Sequence, residues 1–553
     1  MNKLILRNWI RLILSLSLAG CVPSSQPSSP APTPTPTRDV TGPSVSGVVP
    51  RDGSQGISVD SAITITFSET VDHTTLDNST LGVTDVERDL PISGRIAFDG
   101  ASVIFTPLAP LRFAATYSVA VADGITDISG NNLTETTTSY FRTQDILSES
   151  PNPPLELAGF SRGSFFSAFA VFDVNGDGMD DLVYGGAKWV NDAGGWVDEP
   201  IAFGVLLNGG DGRFTEARDN AFPLGAPALV SPRDAKSTDF NGDGKDDLFV
   251  AGHGYDDDPW PGEENVLLLS QPSGSFIDAS DQLDNPVSGF THSCAVGDIE
   301  NDGDSDLVVV DIWGGNSPPA IYILTNDGMA GFASRTQSVA GASDMRWTAS
   351  ELVDLDNDGF LDLVLGEDGS RSKSVVLWND GNGKLDPRPT VLPSADPFFI
   401  VVDVLPMDLN NDGFQDLVLS ATRENPFYEG QYLQVLVNQQ TRAFADETPR
   451  HFPSQDTRAQ WSIRLQSADI DLDGDLDLVT LYDSGPSDAE PIWLNDGEGV
   501  LSQLRTLPQG ARGTMVPIDA DADGDMDFLS LQTDFFGTQY QTQRWTTVIN
   551  NSR

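Results

Sequence analysis

The sequence predicts an all-β chain, on three observations. Its 52 Gly and 36 Pro punctuate it closely, and long helix-forming stretches are scarce, which favours short strands joined by turns. Between residue 39 and about residue 145 apolar and polar residues alternate with a period of two. Beyond that point one acidic nonamer recurs seven times, each copy followed by a short apolar run.

Composition bounds the function. The 553 residues correspond to three or four domain equivalents, as a soft prior. Lys+Arg 31 against Asp+Glu 82 leaves a formal charge of −51. Such a surface repels phosphate backbones and speaks against nucleic acid as a partner. The 39% of apolar residues still suffices for real cores, so the charge does not imply wholesale disorder. Two cysteines, Cys21 and Cys294, exclude a disulfide framework.

The chain opens with an address. Lys3, Arg7 and Arg11 precede the short apolar run Leu12 to Leu18, a pattern of secretory signals. The run is too short for a membrane-spanning helix, which needs about 20 apolar residues. Leu18-Ala19-Gly20-Cys21 resembles a bacterial lipobox. That resemblance implies a signal peptide over 1–20, cleavage before Cys21, acylation of Cys21 and a membrane anchor made of lipid, since stable anchoring takes more than one acyl chain. Val22 in place of an aspartate implies delivery to the outer membrane or cell surface. The Pro/Ser/Thr-rich stretch to residue 38 cannot bury a core. Extended at about 3.1 Å per residue, it would span roughly 50 Å.

Residues 39–145 read as a small β-sandwich. Ile63, Ile65 and Phe67 alternate with Ala62, Thr64 and Thr66, and Val103 with Phe105 and Tyr117 with Val119 and Val121 repeat the pattern. Asp52-Gly53, Asp99-Gly100, Asp123-Gly124 and Gly130-Asn131 mark turns between them. The strings "ITITFSETVD", "FDGASVIFTPLAPLRFAATYSVAV" and "GITDISGNNL" resemble the bacterial immunoglobulin-like domain of surface-layer and adhesin proteins. The resemblance implies an immunoglobulin-like fold used as a spacer. Residues 146–154, with "SPNPP", read as a linker.

Residues 155–553 are one unit repeated seven times. The nonamers start at Asp173, Asp239, Asp298, Asp354, Asp408, Asp469 and Asp519. About twenty residues after each comes a second strand with a turn, as in VLLNGGDG, IYILTNDG and PIWLNDGEG. Positions 1, 3, 5 and 9 offer side-chain oxygens and position 7 a backbone carbonyl, the oxygen-rich set that Ca²⁺ takes. The side-chain ligands are then Asp173, Asn175, Asp177 and Asp181; Asp239, Asn241, Asp243 and Asp247; Asp298, Glu300, Asp302 and Asp306; Asp354, Asp356, Asp358 and Asp362; Asp408, Asn410, Asp412 and Asp416; Asp469, Asp471, Asp473 and Asp477; and Asp519, Asp521, Asp523 and Asp527. Glycine at position 6, from Gly178 to Gly524, permits the sharp turn. An EF-hand would need Glu at position 12, where the first loop has Tyr184, and flanking helices in place of strands. Up to seven Ca²⁺ are expected, with the four-carboxylate loops (third, fourth, sixth and seventh) strongest on charge count. The loops could equally serve stability alone.

The nonamers resemble the FG-GAP/VCBS repeats of integrin α-subunit propellers and bacterial surface proteins. That resemblance implies a β-propeller of four-stranded blades, and seven motifs imply seven blades. The complete expectation is therefore an immunoglobulin-like β-sandwich followed by a seven-bladed β-propeller. The last repeat ends after its third strand, so Leu155–Phe160 is expected to supply the missing one and close the ring.

In such a blade the loops between second and third strands emerge opposite the metal loops. They carry Trp189, Trp196, Tyr255, Trp260, Trp313 and Tyr428, and also Tyr482, Phe535, Phe536 and Tyr540. Variable loops on a rigid scaffold are where binding tends to live. Aromatic plates beside carboxylates suit sugars or peptide side chains, though the same rings could simply pack between blades. Trp347, Trp378, Trp461 and Trp493 read as core, and Cys294 as a buried strand thiol. His73, His253, His292 and His451 show no paired zinc spacing, and no Gly-x-Ser-x-Gly elbow appears. The expected function is a surface-anchored, calcium-binding adhesion or binding module for an extracellular glycan or protein. The alternatives are a polysaccharide-active lyase or hydrolase on the same scaffold and a purely structural envelope protein.

Overall fold

The computed structural model describes residues 39–552 except 78, 157–163, 189–196, 198, 256–257, 259–260, 284–288, 313–319, 341–345, 459–460, 483–490, 505–506, 509–513 and 537–538. Cys21 and the leader lie outside these. Among the described residues no helix is long and apolar enough to cross a membrane.

Two sheets form from the first segment. One has the order Val45–Val49, Ile63–Phe67, Ser102–Pro107, Gly94–Asp99. The other runs Ser54–Ile57, Thr137–Thr143, Thr116–Val121, Leu81–Asp85, Leu90–Pro91. The alternation does what its period requires: Ile63, Ile65 and Phe67 are buried while Thr64 and Thr66 are half-buried. Tyr117, Val119 and Val121 follow the same rule, because successive strand side chains point to opposite faces. The chain divides into two compact units, and the division is not a single cut: Gly53–Ser61 and Ala109–Tyr117 group with Phe141–Arg553.

Seven antiparallel sheets follow one another in the repeats. Each of the first six has four strands in chain order, and every nonamer joins the first strand to the second. The first strands are Ser164–Phe172, Pro232–Thr238, Thr291–Gly297, Trp347–Val353, Ile400–Met407, Arg464–Ala468 and Thr514–Pro517. Second strands such as Asp247–Gly252 and Asp416–Thr422 are buried along their length, because both faces of each sheet are covered by its neighbours. Buried clusters join first to second sheet through Val205 and Leu248, second to third through Phe249 and Val309, third to fourth through Ile323 and Leu365, fourth to fifth through Val376 and Leu419, and fifth to sixth through Val435 and Leu478. The last cluster holds Val479 of the sixth sheet, Phe528 of the seventh and Phe166 of the first together, so the succession returns to its start.

The closing strand differs from expectation. Leu155–Glu156 does pair with the last strand, at Trp545 and Arg544. The outer strand of the seventh sheet, however, also includes Leu147–Glu149, which pairs with Asn550, Ile549 and Val548. The segment read as a linker thus contributes a strand. Its Ile146 and Leu147 are buried in the same cluster as Val548 and Met515, and two adjacent apolar residues ahead of a polar, proline-rich stretch leave no periodic signal.

Candidate metal loops

The nonamers form one repeated turn. In the first loop, Asp173 Oδ1 accepts from Gly176 N and Asp177 N, and Oδ2 from Gly178 N at 2.8 Å. Position 1 therefore organises the loop through backbone donors, as short acidic side chains do. Position 5 makes an Asx turn: Asp177 Oδ1 accepts from Met179 N, and Asp358 Oδ1 from Phe360 N. Position 6 adopts positive φ, for example 88° at Gly178 and 98° at Gly474, a region glycine enters without penalty. Position 4 is left-handed too, in Gly176, Gly242, Asn301, Asn357, Asn411, Leu472 and Ala522.

Position 9 is the anchor. Asp181, Asp247, Asp306, Asp362, Asp416, Asp477 and Asp527 are all fully buried. In the sixth loop Asp477 Oδ2 accepts from Ile470 N and Oδ1 from Asn495 N, both at 2.8 Å. Burial pushes these carboxyls up, despite their backbone donors: to about 6 for Asp181, Asp306 and Asp527, about 7 for Asp247, Asp362 and Asp416, and about 8 for Asp477.

Carboxylates at positions 1, 3 and 9 converge in three loops: Asp354, Asp356 and Asp362; Asp469, Asp471 and Asp477; and Asp519, Asp521 and Asp527, with a ligand atom of each within 4.8 Å of the others. The third loop, with the longer Glu300 at position 3, does not make such a triad. In loops one, two and five, position 3 is an asparagine, whose amide oxygen adds no charge. The triads are made by positions 1, 3 and 9, without position 5. In the fourth loop Arg442 Nε donates to Asp356 Oδ2 at 2.5 Å, so a guanidinium already offsets part of its charge.

Loops six and seven have the chemistry of a site that could hold a cation. Asp469 Oδ1, Asp471 Oδ1, Asp519 Oδ1 and Asp521 Oδ1 are buried and accept no hydrogen bond. A buried carboxylate oxygen without a donor is costly, and several facing one another repel. A hard, oxygen-seeking divalent ion of the Ca²⁺ type removes both penalties.

The structure also shows what reading the sequence overlooked. An asparagine stands at the end of the third strand, or two residues past it in the case of Asn379, in six of the sheets: Asn208, Asn326, Asn379, Asn438, Asn495 and Asn550. Its backbone N–H holds the position-9 carboxylate, while its side-chain amide donates to a carbonyl in the preceding nonamer. Asn438 reaches Leu355 O at 2.7 Å and Asn550 reaches Ile470 O at 2.7 Å. Asn208 reaches Asp519 O at 2.8 Å, tying the first sheet to the seventh. The second sheet has Ser270, whose hydroxyl bonds within its own sheet to Asp246 O. The signal was present in "LLNGG", "LTNDG" and "WLNDG", but its meaning requires knowing which carbonyl lies across the gap.

Of the aromatic positions, Trp189, Trp196, Trp260 and Trp313 lie outside the described residues, as do the side chains of Phe535, Phe536 and Tyr540. Tyr255 is half-buried. Tyr428 is half-buried with its ring edge-on to Trp461, centroids 5.1 Å apart, beside Phe427, which is 72% exposed. Tyr482 is no surface plate: it is buried, and its hydroxyl donates to Gln431 Oε1. Trp347, Trp378 and Trp493 are buried, but Trp461 is only half so. Burial pushes the Cys294 thiol well up, which disfavours its thiolate form. His253 and His292, distant in sequence, have ring centroids 5.5 Å apart. Burial pushes both down, His292 to about 3, which leaves them neutral.

Closed successive four-stranded sheets with an acidic loop at the same corner of each define a β-propeller protein of the repeated-loop kind. A bacterial Ig-like domain model matches residues 39–143, and an FG-GAP-like repeat model matches 239–309, 354–419 and 408–480. The chain therefore carries a bacterial Ig-like domain followed by FG-GAP-like repeats. No curated protein matches it. Among solved structures it is similar to rhamnogalacturonan lyase YesW (14% identity, 90% of each chain, TM-score 0.38) and to Bacillus licheniformis rhamnogalacturonan lyase PL11 (12%, 89% of this chain and 90% of that one, TM-score 0.38). It is also similar to the six-bladed β-propeller lectin of Aleuria aurantia (10%, 65% and 98%, TM-score 0.36). Likenesses this weak carry no functional information.

Proposed function

We propose that this chain is a calcium-loaded, lipid-anchored propeller displayed on the bacterial outer membrane or cell surface, where it binds an extracellular glycan or protein. The observation that carries the reading is the set of donor-less, buried carboxylate oxygens in loops six and seven, in a chain of net charge −51. Divalent ions in these loops would relieve repulsion at the seams between sheets. Seven successive sheets and the Asn208–Asp519 bond support a count of seven blades. The lipobox-like Leu18-Ala19-Gly20-Cys21 supports the anchor. Binding is assigned to the loops opposite the nonamers, where Tyr428 and the exposed Phe427 stand.

Calorimetry of the protein with calcium and with chelator tests the metal assignment. A melting temperature indifferent to chelator sinks it. Membrane fractionation of Cys21→Ala tests the anchor: the variant should leave the membrane fraction. Glycan and protein arrays then test the loop face, with binding and no product release expected.

A further inference from the structure

The ring axis holds a cavity of about 530 Å³ that neither the metal loops nor the variable loops account for. First strands form its wall, and Asp180 and Met526, at position 8 of the first and seventh nonamers, also line it. It therefore lies toward the nonamer end of the strands.

Besides Asp180, five charged groups from four sheets meet there. Lys236 Nζ donates to Glu351 Oε2 at 2.7 Å. Arg464 pairs with Asp234 Oδ1 at 2.5 Å and Asp403 Oδ1 at 3.4 Å, and donates to Arg233 O at 2.8 Å. Lys236, Glu351, Arg464 and Asp403 keep side-chain exposures of 27%, 19%, 17% and 15%. Since these side chains line the cavity, that exposure is to its interior.

The charge inventory selects the ligand class. Four carboxylates, Asp180 included, face two cations, so an anion would meet net repulsion. A cation would have to displace a lysine or arginine from its partner, at a large desolvation cost. What remains in supply is hydrogen bonding. Lys236 has three donors and gives one to Glu351, and Glu351 uses one oxygen for that bond. Apolar Val404 and Leu405 stand among them. A hydroxyl both donates and accepts, and the C–H faces of a sugar ring pack on aliphatic walls. Cavities of roughly 300–1,000 Å³ hold small ligands. We propose that the axial cavity binds a neutral, polyhydroxylated ligand of one or two sugar rings, contacted by Lys236 and Glu351, with Arg464 and Asp403 bracing the wall. The site is separate from the opposite loop face and does not depend on it.

The test is saturation-transfer NMR and calorimetry on the purified protein in calcium, with methyl glycosides of the common hexoses and 6-deoxyhexoses as probes and sodium sulfate as the anionic control. One glycoside should bind at one per chain. The double variant Lys236→Met/Glu351→Leu replaces the ion pair with apolar groups and strands no charge. It should lose affinity at least about tenfold while keeping its melting transition, since apolar replacement of a buried pair is often tolerated. Lys236→Gln/Glu351→Gln, which likewise removes both charges of the pair together, should weaken the same glycoside and stands in if the first double variant misfolds. The proposal is overturned if no glycoside saturates in the millimolar range, if sulfate binds in its place, or if folded variants bind unchanged.

Discussion

Leu472 and Ala522 hold φ of 56° and 60° at position 4 of the sixth and seventh nonamers, where other loops use glycine or asparagine. Side chains with a Cβ lose about 1–2 kcal/mol in that region, and glycine gives back part of the gain through the unfolded chain. Leu472→Gly is therefore expected to stabilise the calcium-bound protein by about 0.5–1 kcal/mol, read by denaturant unfolding. A loss of stability would show that the leucine side chain contributes packing its 37% exposure does not suggest. Asn438 offers the opposite case. It ties Leu355 O and Gln415 O to its own sheet, and Asn438→Ala orphans the buried Leu355 carbonyl and the part-buried Gln415 carbonyl. The expected cost is about 1–3 kcal/mol; a change below a few tenths would mean that water replaces the amide.

At the level of the loop, the titration of position 9 couples to the cation. Burial raises these carboxyls from 3.8 to about 6–8, so without a cation the native state binds protons more tightly than the unfolded chain. The stabilisation from the neutral form is complete below pH of about 4 and is lost as pH rises through about 6–8. Metal-free protein should accordingly melt lower at pH 8 than at pH 5. Calcium requires the ionised form, so the gain in melting temperature on adding it should grow over the same window. Equal gains at both pH values would disconnect the buried aspartates from the ion. Each loop combines a local and a distant device: the Asx turns form within the nonamer, whereas position 9 is satisfied by a strand some twenty residues on.

Over the whole molecule, closure depends on chain ends that are far apart in sequence. Leu147 is buried beside Val548 and Met515, so Leu147→Ala should cost about 2–5 kcal/mol, the range of a core leucine. A linker residue would change stability by about 0.5 kcal/mol or less, and such a result in a melting experiment would remove Leu147–Glu149 from the seventh sheet. At the axis, Arg464 joins the second, fifth and sixth sheets through Asp234 and Asp403. Arg464→Met strands both carboxylates and is expected to destabilise by about 3–5 kcal/mol.

The all-β class, the immunoglobulin-like segment and the seven acidic corners were legible from residue order, because strand alternation and the Asx-turn nonamer are local and written with spacings shorter than a strand. The asparagine bridges were visible as letters but mute, since their acceptors lie in the preceding sheet. Which carboxylates converge, where the outer strand of the seventh sheet comes from, and the meeting of Lys236, Glu351, Asp234, Asp403 and Arg464 were settled only by the tertiary structure. Those relations join residues separated by tens to hundreds of positions, and no periodicity along the chain encodes a distance across a ring.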